Sequence, residues 1–173
     1  MDEQHGFIHE RIEIKLLILY VLRQLPSEID PEALSELVLI DGGISYFDYK
    51  DCLAELIRTA QVEETEDGCR VTAKGAQNCE VLEGSLPYSV RAKARRVMGP
   101  VIEEMRRRAL ILANHEPGPE GGVLVYLSMN DGVGSVFDLK LLAADEAQAK
   151  RMERNFKRGA EDYYQRFIAA LSE

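Results

Sequence analysis

The spacing of hydrophobic residues changes along the chain, and these changes limit the folds that the sequence can adopt. Through most of residues 10–108, apolar side chains recur every three or four positions, which is the spacing of an α-helix with a buried face. Between residues 123 and 141 the period becomes two, which is the spacing of antiparallel strands. The sequence therefore predicts an α+β fold, with a mainly helical first part and a sheet in the second.

Residues 1–84 are predicted to contain three helices, a β-hairpin and a fourth helix. Asp30-Pro31 is typical of an N-cap followed by proline at the first helical position. Ser45 and Thr72 are the predicted caps of the third and fourth helices, and Asp67-Gly68 predicts the turn of the hairpin. This order of elements predicts a winged helix-turn-helix domain, in which the third helix presents one face outward and the hairpin flanks it.

Residues 85–108 are predicted to form a basic helical connector, in which Gly99-Pro100 either kinks one long helix or separates two. Residues 109–173 are predicted to form a small α+β domain for dimerisation or effector sensing, with a three-stranded antiparallel sheet packed by a long final helix. The inward stripe of that helix is predicted to contain Ala149, Met152, Phe156, Tyr163, Phe167 and Leu171. The opposite face of the sheet keeps apolar residues that need cover from another surface, namely Leu124, Tyr126, Val136 and Leu142.

Charge is distributed unevenly along the chain. With 21 basic and 30 acidic residues the net charge is −9, which disfavours a general nucleic-acid coat protein because an acidic surface repels phosphate. Residues 1–84 carry 7 basic and 18 acidic side chains, whereas residues 85–173 carry 14 basic and 12 acidic ones. If the chain binds DNA, the connector must therefore supply much of the attraction.

Several short patterns recur at packing positions of the predicted helices: Lys15-Leu16-Leu17-Ile18-Leu19-Tyr20, Ile44-Ser45-Tyr46-Phe47 leading into Leu53-x-x-Leu56, Thr72-x-x-Gly75, and Tyr163-Tyr164 in the last helix. These patterns resemble those of a bacterial family of unknown function whose N-terminal half is similar to winged-helix regulators of the PadR and MarR type. The resemblance covers most of the chain and consists of packing patterns. It implies a DNA-binding fold and a role in transcription.

Seven residues are candidates for DNA contact. Ser45, Tyr46, Tyr49 and Lys50 are expected on the exposed side of the third helix, where they would reach base edges or phosphates in a major groove. Alternatively, Tyr46, Phe47 and Tyr49 pack the start of that helix. Arg91, Arg95 and Arg96 of the connector would bind the flanking phosphates, or else form a solvated face or ion pairs with the acidic half.

Enzymatic, metal-binding and membrane functions have little support in the sequence. The chain contains no nucleophile elbow, P-loop or dinucleotide fingerprint, so we expect neither catalysis nor a cofactor. His5 and His9 lie four residues apart but lack a third ligand at a fixed spacing, which makes a metal site improbable. Cys52, Cys69 and Cys79 fit reduced thiols in a cytoplasm. Neither a membrane-length apolar run nor a signal-peptide pattern is found.

Two hypotheses follow. The first is a cytoplasmic winged-helix transcriptional regulator, expected to be a homodimer that places two recognition helices about 34 Å apart on double-stranded DNA. The C-terminal domain would close the dimer or bind a small-molecule effector. The second is a protein-interaction module that keeps the winged-helix scaffold without DNA binding, favoured by the acidic first half, which suits a basic protein partner.

Overall fold

The structure is a computed structural model that describes Ile8 and residues 10–172. The α-helices of this part of the chain are α1 (Arg11–Gln24), α2 (Pro31–Val38), α3 (Tyr46–Arg58), α4 (Ala73–Leu82), α5 (Tyr88–Ala109) and α6 (Glu146–Ser172). The strands are β1 (Val62–Thr65), β2 (Gly68–Val71), β3 (Ile111–Pro117), β4 (Val123–Asn130) and β5 (Ser135–Ala143). The predicted α+β class is confirmed. The chain divides after Glu103 into two compact units.

Helix α1 is the centre of the N-terminal unit and packs against α2, α3 and α4. Its sequence carries apolar residues on nearly every side, as expected for a helix surrounded by others. The buried residues of α1 are Ile14, Leu16, Leu17, Ile18, Leu19, Tyr20, Val21 and Leu22. This confirms that the run of leucines and isoleucines forms a core helix.

The predicted N-caps are confirmed. The Asp30 carboxylate accepts from the backbone N–H groups of Glu32 and Ala33 at the start of α2. Ser45 and Thr72 accept from backbone N–H groups three residues later, at the starts of α3 and α4. Each side chain satisfies amides that the first turn of a helix leaves without a partner, which fixes where these helices begin.

The predicted hairpin is confirmed as an antiparallel pair of β1 and β2. The hairpin is joined to the loop between α1 and α2, because Ile29 and Cys69 exchange backbone hydrogen bonds of 3.1 and 2.9 Å. Gly68 lies at this junction with φ +138°, and a Cβ atom there would be 2.4 Å from the Ile29 carbonyl oxygen. Only glycine fits, because the backbone conformation and the close approach both exclude a side chain.

Helix α5 is continuous from Tyr88 to Ala109 and contains Pro100, so the Gly99-Pro100 dipeptide does not separate two helices. Val90, Ala94 and Met98 are its buried residues. The predicted division into residues 1–84, 85–108 and 109–173 stays a prediction about domain behaviour.

The C-terminal unit contains the predicted three-stranded antiparallel sheet, in the order β3-β4-β5. Helix α6 begins after Asp145, whose carboxylate accepts from the backbone N–H of Gln148, and it packs on one face of the sheet. The buried core between them contains Val125, Leu127, Ala143, Ala149, Phe156 and Ala160. Phe137 of β5 stacks on Phe156 with ring centroids 6.1 Å apart.

The apolar stripe predicted for α6 is only partly covered. The helix loses helical geometry at Gly159, and beyond this point the apolar side chains of the stripe are more exposed than Ala149 and Phe156 are. Tyr163 and Phe167 are more than one-third exposed but still pack inward, because their ring centroids lie 6.3 Å from Phe156 and 5.4 Å from Phe137. Leu171 is 81% exposed, so the predicted inward stripe is wrong at this position.

The opposite face of the sheet is open, as predicted. Leu142 and Val136 are exposed, and Leu124 and Tyr126 are half-buried. Leu112 of β3, which alternation places on the same face, is also exposed. None of the helices described is both long and apolar enough to cross a bilayer.

Candidate nucleic-acid interface

The first turn of α3 presents aromatic side chains to solvent. Tyr46 is 41% exposed and Phe47 is 82% exposed, and their rings meet edge to face at 6.4 Å. Ser45 is exposed as well, but its hydroxyl is engaged as the cap: it accepts from the Asp48 N–H at 3.1 Å and donates to the Asp48 carboxylate at 2.6 Å. Phe47 was expected only as a packing residue, yet it is the most exposed aromatic side chain of this turn.

Lys50 and Tyr46 both bind the carboxylate of Glu32 on α2. The Lys50 Nζ lies 2.6 Å from Oε1, and the Tyr46 hydroxyl donates to both carboxylate oxygens at 2.8 and 2.9 Å. The Lys50 ammonium also lies 5.4 Å from the centre of the Tyr46 ring, within cation–π range. Hydrogen bonds from Lys50 and then Tyr46 lower the pKa of Glu32, and the same carboxylate raises the pKa of Lys50.

Tyr49 is fully buried, so its predicted place on the exposed side of α3 is wrong. Its hydroxyl donates to the backbone carbonyl of Pro31 at 2.6 Å, and burial raises the pKa of the phenol well above its usual range. Tyr46 and Tyr49 are three positions apart, which offsets them by only about 60° around α3. Both side chains reach α2, but Tyr49 lies in the core whereas Tyr46 lies at the exposed edge of the contact. The alternative that a tyrosine packs the helix start therefore holds for Tyr49.

Two cations of α1 neutralise carboxylates of α3. Glu55 accepts from the guanidinium of Arg11 at 2.9 Å and from the Lys15 ammonium, and Arg11 also lies 3.5 Å from Asp51. These contacts hold the pKa of Glu55 below its ordinary value. The acidic character of α3 is thus reduced by a neighbouring helix, an effect that counting charges along α3 does not reveal.

The hairpin remains acidic in the folded structure. Arg70 of β2 pairs with Glu63 of β1 and lies 3.2 Å from Glu28. Glu64, Glu66 and Asp67 make no ion pair within the part of the chain that the structure describes. Close contact between this hairpin tip and phosphate would be unfavourable.

The three connector arginines lie on α5 and are not joined to the α3 cluster by any hydrogen bond or ion pair among the described residues. Arg95 and Arg96 are exposed, and Arg91 is half-buried. The Nε atom of Arg91 is buried without a hydrogen-bond partner. Within residues 10–172 none of the three forms an ion pair with a carboxylate of the acidic half, so the alternative that they pair with it has no support there.

The metal-ligating side chains and the thiols do not cluster in the described residues. No three side chains of the metal-ligating types come together there, and the candidate pair His5 and His9 lies outside the described residues. Cys52, Cys69 and Cys79 are free and buried, and burial raises the pKa of each thiol. His115 contacts Glu153 of α6 at 2.6 Å, which fits a structural role.

A family model described as a domain of unknown function, DUF4364, matches residues 14–171, and the chain belongs to this family. Neither a curated protein nor a solved structure matches the chain.

Proposed function

We propose that this member of the DUF4364 family is a cytoplasmic, DNA-binding transcriptional regulator of the winged-helix type. The observation that carries the proposal is the exposed first turn of α3, which projects Tyr46, Phe47 and Lys50 from a core of helices held together by α1. The order of the helices, the hairpin after α3 and the pairing of Ile29 with Cys69 support the likeness to regulators of the PadR and MarR type.

In this proposal α3 enters the major groove of double-stranded DNA. The Phe47 ring offers apolar contact to a thymine methyl group, and the Tyr46 hydroxyl can reach a phosphate or a base edge. Lys50 exchanges Glu32 for a phosphate oxygen, so binding must overcome the existing ion pair. Ser45 serves mainly as the helix cap, and Tyr49 supports α3 from within.

Electrostatic attraction comes from α5 in this proposal. Arg95 and Arg96 are exposed and unpaired within the described chain, and Arg91 carries a buried, unpartnered Nε. Each cation that neutralises a phosphate releases counterions and so favours binding at low salt. The acidic tip of the hairpin would stay clear of the phosphates.

A second copy of the chain completes the proposed regulator. The last part of α6 exposes four apolar side chains, namely Tyr163, Phe167, Ile168 and Leu171. Contiguous apolar surface of this kind marks an interaction site, and a homodimer would present two copies of α3 to successive turns of DNA.

The experiment is fluorescence anisotropy of random duplex DNA titrated with the full-length chain between about 50 and about 200 mM salt. We expect binding at low salt that weakens steeply as salt rises. Arg91→Ala, Arg95→Ala and Arg96→Ala should each reduce the salt slope by about one. Phe47→Ala should weaken binding without changing that slope, because its contact carries no charge.

A protein-interaction module is the second candidate. Two observations favour it. Lys50 is already paired with Glu32. The tip of the hairpin carries the negative charges of Glu64, Glu66 and Asp67. Such a surface suits a basic protein partner. Absence of duplex binding even at about 50 mM salt would contradict DNA binding and favour this candidate.

A further inference from the structure

The C-terminal unit contains a cleft of about 620 Å³ whose wall is rich in cations. It lies between the C-terminal end of α5 and the middle of α6, and its volume is in the range of small-molecule sites. Its cationic side chains are Arg107, Arg108, Arg154, Lys157 and Arg158.

The cations from α5 are largely satisfied by neighbouring carboxylates. Arg108 Nε lies 2.8 Å from Glu104 Oε1, and Arg107 pairs with the other oxygen of the same carboxylate. Arg107 also lies 3.7 Å from Glu161 of α6. These two guanidinium groups therefore contribute little uncompensated charge to the cleft.

The cations from α6 are different, because no carboxylate pairs with them among the described residues. Arg158 donates to the neutral side-chain oxygen of Asn155 at 3.0 Å, whereas Arg154 and Lys157 have no hydrogen-bond or ion-pair partner in this part of the chain. Asp162 also lines the cleft without an ion pair, so the unpaired groups leave an excess of positive charge.

The spacing of these three cations along α6 places their like charges close together without a carboxylate among the described residues to offset them. Arg154 and Arg158 are one helical turn apart and Lys157 lies between them, so like charges share one face and repel each other. Elsewhere on α6 the same spacing is used for attraction, as Lys150 pairs with Glu146. An anion bound between the three would relieve the repulsion, and guanidinium forks fit the oxygen geometry of phosphate.

Helix α6 is interrupted at this cleft. Gly159 directly follows Arg158, departs from helical geometry (φ −143°, ψ 34°) and lines the cleft together with Ala160. The interruption therefore places two residues without long side chains, Gly159 and Ala160, in the lining of the cleft next to Arg158.

We propose that this cleft binds a small phosphate-bearing molecule through Arg154, Lys157 and Arg158. The binding site stands independently of DNA recognition, but its use as an effector site rests on the proposed regulatory function. The C-terminal unit would then supply the ligand-sensing role expected for it.

The test is isothermal titration calorimetry of the full-length chain with pyrophosphate and, separately, with inorganic phosphate. We expect saturable binding with one site per chain and tighter binding of pyrophosphate, because it carries more charge. Arg154→Gln and Arg158→Gln should each raise the dissociation constant about tenfold, since each removes a charged hydrogen-bond donor. Arg151→Gln is the matched control on the same helix, does not line the cleft and should leave binding unchanged.

Thermal unfolding of each variant separates loss of binding from loss of fold. Absence of saturable binding of both anions to the folded wild-type chain would overturn the proposal, as would equal effects of Arg154→Gln and Arg151→Gln. If the cleft variants weaken the binding of duplex DNA and pyrophosphate does not bind, the cations contact nucleic acid and the proposal of a small-molecule site is wrong. Pyrophosphate binding without duplex binding would instead refute the proposed function alone.

Discussion

The ammonium of Lys50 lies 2.6 Å from the carboxylate of Glu32, so a candidate phosphate-binding cation on α3 is already held by α2. Tyr46 donates to the same carboxylate. The pair is exposed and solvent screens it, so an incoming phosphate can compete for the ammonium. If α3 binds DNA as proposed, Glu32 competes with the phosphates for Lys50, and removing the charge of Glu32 tests this competition.

Glu32→Gln is expected to strengthen duplex binding several-fold at low salt. The substitution frees Lys50 and removes a negative charge beside α3, and both changes favour contact with phosphate. The measurement is the dissociation constant from anisotropy across a salt series. Glu36→Gln on the same helix is the control, and an equal gain in that variant would show that only net charge matters.

Tyr49→Phe is expected to lower the free energy of unfolding by about 1 kcal/mol, because the part-buried hydrogen bond from the Tyr49 hydroxyl to the Pro31 carbonyl is lost. Urea denaturation of the full-length chain measures the change. Tyr46→Phe, whose hydroxyl is exposed, should stay within about 0.5 kcal/mol of wild type. A large loss of DNA affinity in Tyr49→Phe with unchanged stability would contradict the structural role.

Gly75→Ala is expected to destabilise the chain by about 1–3 kcal/mol through overpacking. A Cβ atom at this position would lie 2.1 Å from the Gln61 carbonyl oxygen and 3.0 Å from the Val71 side chain. Gly84→Ala meets nothing within 4 Å and is the control. Comparable unfolding midpoints for the two variants would show that α4 can shift to admit the methyl group.

The helix caps and the hairpin turn could be predicted from the sequence because each depends on residues that are close together in the chain. The caps Asp30, Ser45 and Thr72 bind amides two or three residues away, and Asp67-Gly68 forms its turn within the hairpin. The Thr72-x-x-Gly75 pattern also has a physical reason, since the Thr72 hydroxyl accepts from the Gly75 N–H and a Cβ atom at Gly75 would lie 2.1 Å from the Gln61 carbonyl oxygen.

The candidate site was harder to predict, because its electrostatics depend on contacts between distant residues. Glu32 meets Lys50, and Arg11 meets Glu55, across 18 and 44 positions in sequence. Tyr49 was misplaced because the aromatic cluster at the start of α3 gives no clear helical phase. The unpaired cations of α6 were missed because a basic run gives no sign of which carboxylates it will find.

The three thiols are expected to resist alkylation in the native chain. Burial raises the pKa of Cys69 to about 11, and Glu64 and Asp30 add to the shift. At pH 8 only about one Cys69 thiol in a thousand is then the reactive thiolate. Mass spectrometry after iodoacetamide treatment should show little labelling without urea and complete labelling with it. Rapid labelling of native Cys69 would contradict its burial.

Phe167→Asp is expected to convert a dimer to a monomer if α6 is the dimer interface. Phe167 is about two-fifths exposed among Tyr163, Ile168 and Leu171, and a carboxylate placed in that interface would lose its hydration without a partner. Because the Phe167 ring also lies 5.4 Å from Phe137, thermal unfolding of the variant separates loss of the dimer from loss of fold. Light scattering coupled to size exclusion at micromolar concentration measures the mass. Val133→Asp is the matched control, because Val133 is 97% exposed in the turn between β4 and β5.

A wild-type chain that is monomeric at this concentration would contradict the proposed dimer. A dimer that survives Phe167→Asp would instead indicate that the interface lies on the open face of the sheet, where Leu112 and Leu142 are exposed.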